Sequence, residues 1–211
     1  MRSLYPHIVT HDLLRIDEAG QLRADGPIPD WVETSLAFAS FVVVRRVRSL
    51  DGLVPVGVRG RTRSQRFAAF VSRNSIRERI TPEEIAEKRG WKYNRFSGAS
   101  FAMALDHIEA TLATSTYTWG PIGSVGFELA SGASTVGVNS DLDLLIRMES
   151  FLDSKSARQL SSRLAEVPVR VDVQLETPFG AIALAEYARC EASVMLRTCD
   201  GPRLVSNPCR S

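Results

Sequence analysis

A chain of 211 residues with 44% hydrophobic and 24% charged side chains is long enough for one or two domains around a real core, and these are ordinary globular values. The net charge is only +2, yet 23 of the 26 basic residues are Arg, and residues 1–90 carry +4 against −2 for residues 91–211. The longest apolar stretch, Leu36 to Val44, is broken by Ser40 and is too short to cross a bilayer, while a first segment carrying His7, His11, Asp12 and Arg15 contains no apolar signal core.

In chain order, a short segment from His7 to Ile16 is followed by a polar stretch, Asp17 to Pro29, and by a helical pattern over Trp31 to Ser40. Phe41–Arg46 and Val54–Val58 read as two strands around the turn Ser49-Leu50-Asp51-Gly52. Pro55 argues against an interior place for the second of them. Between Arg45 and Arg79 stand ten Arg against only Asp51 and Glu78. Arg is suited to bidentate phosphate contacts, so the block reads as an anion pocket, with a solvated basic face as its plain alternative. Thr81-Pro82-Glu83-Glu84 is a helix start, with Thr as cap, Pro at the first helical position and Glu at the third, and Gly90 ends that helix. A boundary here separates an Arg-rich domain, 1–88, from a second domain, 89–211.

In the second domain Phe101, Leu105, Ile108 and Leu112 recur at helical spacing after Ser100. An aromatic-apolar strand over Thr116–Gly123 leads into Gly123-Ser124, a turn small enough to bring backbone N–H groups and a hydroxyl up to phosphate oxygens. With Gly126, Gly132 and Gly137 following, the intervening stretch reads as a short turn and loop rather than a full helix. Seventeen positions after Gly123 comes Ser140-Asp141-Leu142-Asp143-Leu144-Leu145-Ile146. Alternation on a strand points Asp141 and Asp143 to one face, about 7 Å apart, a donor set for a hard divalent ion. Ala157, Leu160, Leu164 and Val167 mark another helix. Val169, Val171, Val173 and Leu175 then form one face of a strand whose other face is Arg170, Asp172 and Gln174. If this strand lies beside the Asp141–Ile146 strand, Asp172 can join the same metal site; without that neighbour it is a surface partner for Arg170. Gly180 to Arg189 looks helical and Ser193–Thr198 reads as a strand, so the whole is α/β (α+β), with a mixed sheet covered by helices. Cys190, Cys199 and Cys209, an odd set without metal spacing, fit a reducing cytosol, and the chain reads as soluble and cytoplasmic.

Gly-Ser, then Asp-x-Asp, then a later single carboxylate resembles the nucleotidyltransferase superfamily, with its DNA polymerase β-like fold. Nearly end to end, the chain is similar to the phosphoribosyl-dephospho-CoA transferases that serve malonate decarboxylase. The stretches that carry this are His11-Asp12-Leu13-Leu14, Phe41 to Arg46, Val54 to Gly60 with Arg63 to Arg66, Gly123-Ser124 with Phe127 to Ala130, Ser140 to Leu145, Val171 to Pro178 with Gly180, and Leu196 to Thr198 with Gly201 to Val205. The tail Asn207-Pro208-Cys209 lacks the acidic and aromatic residues that resemblance implies.

The resemblance implies transfer of a phosphoribosyl-dephospho-CoA group from 2′-(5″-triphosphoribosyl)-3′-dephospho-CoA to a serine of the apo acyl-carrier subunit of malonate decarboxylase, with release of pyrophosphate. It implies Mg²⁺ (or Mn²⁺) held by Asp141, Asp143 and Asp172. Gly123, Ser124 and Ser140 would serve the phosphates, and Arg45, Arg46, Arg59, Arg61 and Arg66 further phosphates or the carrier surface. No membrane or nucleic-acid partner is expected. Two rivals stay open at this stage: a nucleotidyltransferase using an ordinary nucleoside triphosphate and a small acceptor, and a catalytically silent module that binds nucleic acid through its Arg block.

Overall fold

The computed structural model describes residues 7–50, 52–62, 64–93, 99–137, 139–148 and 152–207. Contacts divide the chain into two units, Met1–Thr81 with Ala130–Thr135, and Pro82–Leu129 with Val136–Ser211. Arg63, Pro208 and Cys209 from the sequence reading lie outside the described residues.

The first unit is built on an antiparallel sheet of β1 (Leu13–Arg15), β2 (Leu22–Arg23), β3 (Phe41–Val44), β4 (Leu53–Arg59), β5 (Arg66–Ser72) and β6 (Glu78–Ile80), in the order β2-β5-β4-β3-β1-β6. The polar stretch Asp17–Pro29 thus contributes a short edge strand. Val54, Val56 and Val58 alternate into a core with Leu14, Val42, Val44, Ala69 and Val71, covered by Val32 and Leu36 of α1 (Asp30–Phe38). Gly52, at φ +69°, makes the turn into β4, where a side chain in the left-handed region would be strained.

Pro55 does sit in an interior strand, contrary to the rule applied above. It pairs with Phe70 on one side, and on the other its carbonyl accepts the Arg45 N–H at 2.9 Å. The donor that proline lacks would face β3 only beyond Val44, where that strand has ended. One hydrogen bond is forgone at the end of a ladder rather than in its middle.

The second unit holds a mixed sheet ordered β12-β11-β10-β9-β8-β7. Its strands are β7 (Thr118–Pro121), β8 (Leu142–Arg147), β9 (Val171–Thr177), β10 (Gly180–Ala183), β11 (Ser193–Thr198) and β12 (Gly201–Ser206). Only β8 and β9 run parallel among the described strands. Such a pair needs a crossover, supplied by α5 (Ser154–Leu164). Asp153 caps α5 by accepting the N–H groups of Lys155 and Ser156. The remaining helices are α2 (Pro82–Lys88), α3 (Ala99–Leu112), α4 (Gly123–Ser131) and α6 (Leu184–Ala188). Phe101, Leu105, Ile108 and Leu112 of α3 are all buried, against Leu142, Leu144, Ile146, Val173 and Leu175 of the sheet.

Two further readings change. Arg89, at φ +50°, takes the left-handed position after α2, and Gly90 opens a 3-10 turn instead. Gly180 to Arg189 is strand β10 followed by the five-residue α6, because Gly180–Ala183 pairs with Gln174–Thr177. Cys199 is free and exposed. In the tail, buried Asn207 donates from Nδ2 to the Tyr187 carbonyl at 3.3 Å. No helix among the described residues is long and apolar enough to cross a membrane.

Candidate active site

The apolar residues of β8 and β9 decide where the carboxylates go. Leu142, Leu144 and Ile146 are fully buried in the core, so Asp143 is forced to the other face of the sheet. Val173 and Leu175 do the same for Asp172 on β9. The parallel register sets Asp143 directly beside Asp172, on strands about 4.8 Å apart. Asp141 stands just before β8, where the ladder is continued by the Leu142 N–H donating to the Arg170 carbonyl at 2.8 Å. Its neighbour across the strands is therefore Arg170, whose Nη1 lies 3.9 Å from Asp141 Oδ2. Arg170 pairs with Asp141, and Asp172 remains exposed.

Gly123 closes on one of these carboxylates, Asp143. It opens α4 at φ +62°, and a Cβ built on it would fall 1.9 Å from Asp143 Oδ2. The Ile122 N–H donates to the Asp143 carbonyl at 2.9 Å, so backbone of the turn and backbone of β8 are joined. Ser124 is buried at the start of the helix. A nine-residue helix does follow Gly-Ser, against the expectation of a short turn. Gly126 does not break it because the glycine is used for close packing: a Cβ there would meet the Pro121 carbonyl oxygen at 2.3 Å. Val125 and Phe127 are buried, which outweighs glycine's propensity cost of about 1 kcal/mol. The helix gives out at Gly132, φ +72°, the left-handed cap position. Ser140 lies in the turn before Asp141 and its hydroxyl accepts the Gly137 N–H at 2.9 Å.

Sequence reasoning gave no site role to Glu128, Arg147 and Glu83. Glu128 is buried and accepts the Val136 N–H at 2.7 Å, tying α4 to the loop that returns to Asp141. Arg147 Nε donates to Glu83 Oε1 at 2.5 Å. An acidic residue between Phe127 and Leu129 was the available signal for Glu128; nothing local in the sequence marked the other pair.

The Arg residues belong to the first unit. Val43 faces Gly57, and a Cβ on Gly57 would sit 3.4 Å from Arg45 Cδ, so the stem of Arg45 lies across the glycine. Arg59 and Arg66 are directly opposite one another on β4 and β5, an unfavourable pairing of like charges on its own. Arg66 also donates to the Gln65 carbonyl at 3.1 Å. Arg46 stands half-buried in the bend after β3, and Arg61 is exposed beyond β4.

Among the described residues no group of three or more His, Cys, Asp or Glu is placed to hold a metal ion. What the register brings together is a pair, Asp143 beside Asp172, with Asp141 at the strand entrance beside Arg170. That fits a magnesium-type ion, which is commonly held by one or two carboxylates, several waters and substrate phosphates rather than by a cage of protein ligands.

Comparison with known proteins agrees with the motif order. Residues 9–82 match the family model "Phosphoribosyl-dephospho-CoA transferase MdcG N-terminal domain" and residues 92–208 the corresponding C-terminal domain. A phosphoribosyl-dephospho-CoA transferase of Pseudomonas fluorescens (strain Pf0-1) is 42% identical over 95% of this chain and 94% of its own length. One of Azotobacter vinelandii is 40% identical over 89% of each chain, and one of Klebsiella pneumoniae 37% over 94% of each. No solved structure matches.

Proposed function

The chain belongs to the phosphoribosyl-dephospho-CoA transferase family, and from that premise we propose that it transfers this group from 2′-(5″-triphosphoribosyl)-3′-dephospho-CoA to a serine of an apo acyl-carrier subunit of malonate decarboxylase. The observation that carries the reading is the register of Asp143 beside Asp172, with Gly123 closed against Asp143. In the reaction the serine oxygen bonds to the α-phosphorus, the bond from that phosphorus to the bridging oxygen breaks, and pyrophosphate leaves with the electron pair. The serine proton passes to Asp172, the exposed member of the three.

Asp141, Asp143 and Asp172 would hold Mg²⁺ or Mn²⁺, which when bound neutralises charge developing on the phosphates. Gly123 and Ser124 receive the leaving phosphates at the start of α4, where backbone N–H groups are unsatisfied by the helix itself. Ser140 fixes the turn that delivers Asp141. Arg45, Arg46, Arg59 and Arg66 bind the remaining phosphates or the carrier.

The test is mass spectrometry of a purified apo carrier after incubation with the enzyme, the triphosphoribosyl substrate and Mg²⁺. The carrier gains the mass of the prosthetic group and pyrophosphate appears in equal amount. Asp141→Ala and Asp143→Ala abolish both signals while the variants melt like the parent. Transfer by either variant at the parental rate sinks the assignment.

A further inference from the structure

Beyond Asp172, the polar face of β9 carries two side chains that the reaction above does not use. Asp172, Gln174 and Glu176 project from the face opposite buried Val173 and Leu175. The register places Gln174 between Leu145 of β8 and Ala183 of β10. Neither neighbour can form a side-chain hydrogen bond, so at this level of three adjacent strands Gln174 is the single polar side chain. It is half-buried, and among the described residues its carboxamide makes no hydrogen bond with the protein. Glu176, one step further along, is in register with Arg147 and has partners of its own. Gln174 therefore keeps a solvent-accessible carboxamide without a protein partner, open to a ligand able to pair with it.

The position says which part of a ligand. Gln174 lies two residues, about 7 Å, from Asp172 along the strand, away from the end where Gly123 and Asp143 meet. With the reacting phosphorus at Asp143 and Asp172 and the leaving phosphates at Gly123, two groups remain for that distance, the incoming serine and the pentose on the 5″ oxygen, and of these only the pentose carries a pair of hydroxyls. A carboxamide offers one acceptor oxygen and two N–H donors on a neutral head, which matches a pair of neighbouring hydroxyls. A phosphate is better served by Arg or Lys.

We propose that Gln174 is a specificity-determining residue that hydrogen-bonds the ribosyl hydroxyls of the group being transferred. This rests on the transfer reaction proposed above. The experiment compares Gln174→Met, similar in length but without the hydrogen-bonding head, with the parent enzyme on the intact substrate and on an analogue lacking the 2″ and 3″ hydroxyls. On the intact substrate the variant's kcat/KM falls roughly tenfold, a full-strength neutral hydrogen bond. The carrier KM and the melting temperature stay unchanged. On the analogue the parent falls to the variant's level and the variant loses nothing more. Equal kinetics of the two enzymes on the intact substrate, or an equal additional loss by both on the analogue, would overturn the assignment. Asp143→Ala is run alongside. If it is inactive while Gln174→Met behaves as the parent, only the Gln174 inference falls; if it is active, the carboxylate reading falls and takes Gln174 with it.

Discussion

Replacing Gly123 by Ala tests the joint between the phosphate turn and the metal strand, and a second glycine supplies its control. At Gly123, φ is +62° and the new Cβ would stand 1.9 Å from Asp143 Oδ2, 2.8 Å from its Cγ and 2.9 Å from its Cβ. At Gly132, φ is +72° and nothing lies within 4 Å of the new Cβ. Both substitutions force alanine into the left-handed region, at about 1–2 kcal/mol. For a chain of this size that lowers the melting temperature by roughly 2–8 °C. Only Gly123→Ala must also displace the Asp143 carboxylate, by about 1 Å to restore the closest separation that real Cβ contacts show, 3.0 Å. A misplacement of about 1 Å in catalytic geometry can cost on the order of 10²-fold in rate. Differential scanning fluorimetry and the carrier-modification assay read the two effects separately. Gly132→Ala loses stability and keeps its turnover; Gly123→Ala loses at least as much stability and roughly a hundredfold in turnover. Equal turnover in the two variants would refute the claim that Gly123 is constrained by Asp143.

Asp172→Asn, which keeps shape but cannot take the serine proton, lowers the transfer rate sharply while calorimetric binding of the triphosphate substrate survives; parallel loss of both would show that Asp172 serves binding. Single Ala changes at Arg45, Arg46, Arg59 and Arg66 raise the substrate KM, each charge-assisted contact being worth roughly 1.5–3 kcal/mol. Should they face the carrier, carrier KM rises instead and the effect shrinks with added salt; no change for either substrate returns the block to a solvated basic face. Asp153, whose pKa is lowered chiefly by the Ser156 hydroxyl and also by backbone N–H groups, stabilises α5 in its charged form. Its contribution is complete above the ordinary carboxylate value of 3.8 and fades as the pH falls through the lower folded value. The gap in melting temperature between the parent and Asp153→Ala therefore narrows in acid, and a gap that is constant with pH would contradict the cap's ionic character.

Legibility in the sequence followed the reach of the forces involved. Phe101, Leu105, Ile108 and Leu112 mark α3 because a single buried stripe repeats at helical spacing, and all four are buried. The alternation of Val171, Val173 and Leu175 fixed both the strand and the face of Asp172 for the same reason. Failures came where a distant partner decided a local conformation. Gly180–Ala183 has a composition fit for a helix, but Gln174–Thr177 offers it a ladder. Pro55 breaks a strand rule that holds only if the neighbouring strand extends past it, and β3 stops at Val44. Gly126 was read as a breaker when its missing side chain makes room for the Pro121 carbonyl. The three carboxylates were legible as residues; that Arg170 would stand beside Asp141, and not beside Asp172, needed the register.

The Gly-Ser and Asp-x-Asp elements are joined by a contact rather than by a spacing. The Ile122 N–H is bonded to the Asp143 carbonyl and Gly123 is pressed against the Asp143 side chain, so β8 itself sets the position of the turn. The residues between them leave α4 and return to β8 along a path tied back to α4 by the bond from the Val136 N–H to Glu128. Its length can then vary without moving the two ends, since extending a loop costs little: each doubling adds only about 0.6 kcal/mol. The long gap from Ser124 to Asp141 is therefore compatible with an intact site. What the site cannot accept is a side chain at 123, because the space that a Cβ would take is already filled by the carboxylate of Asp143.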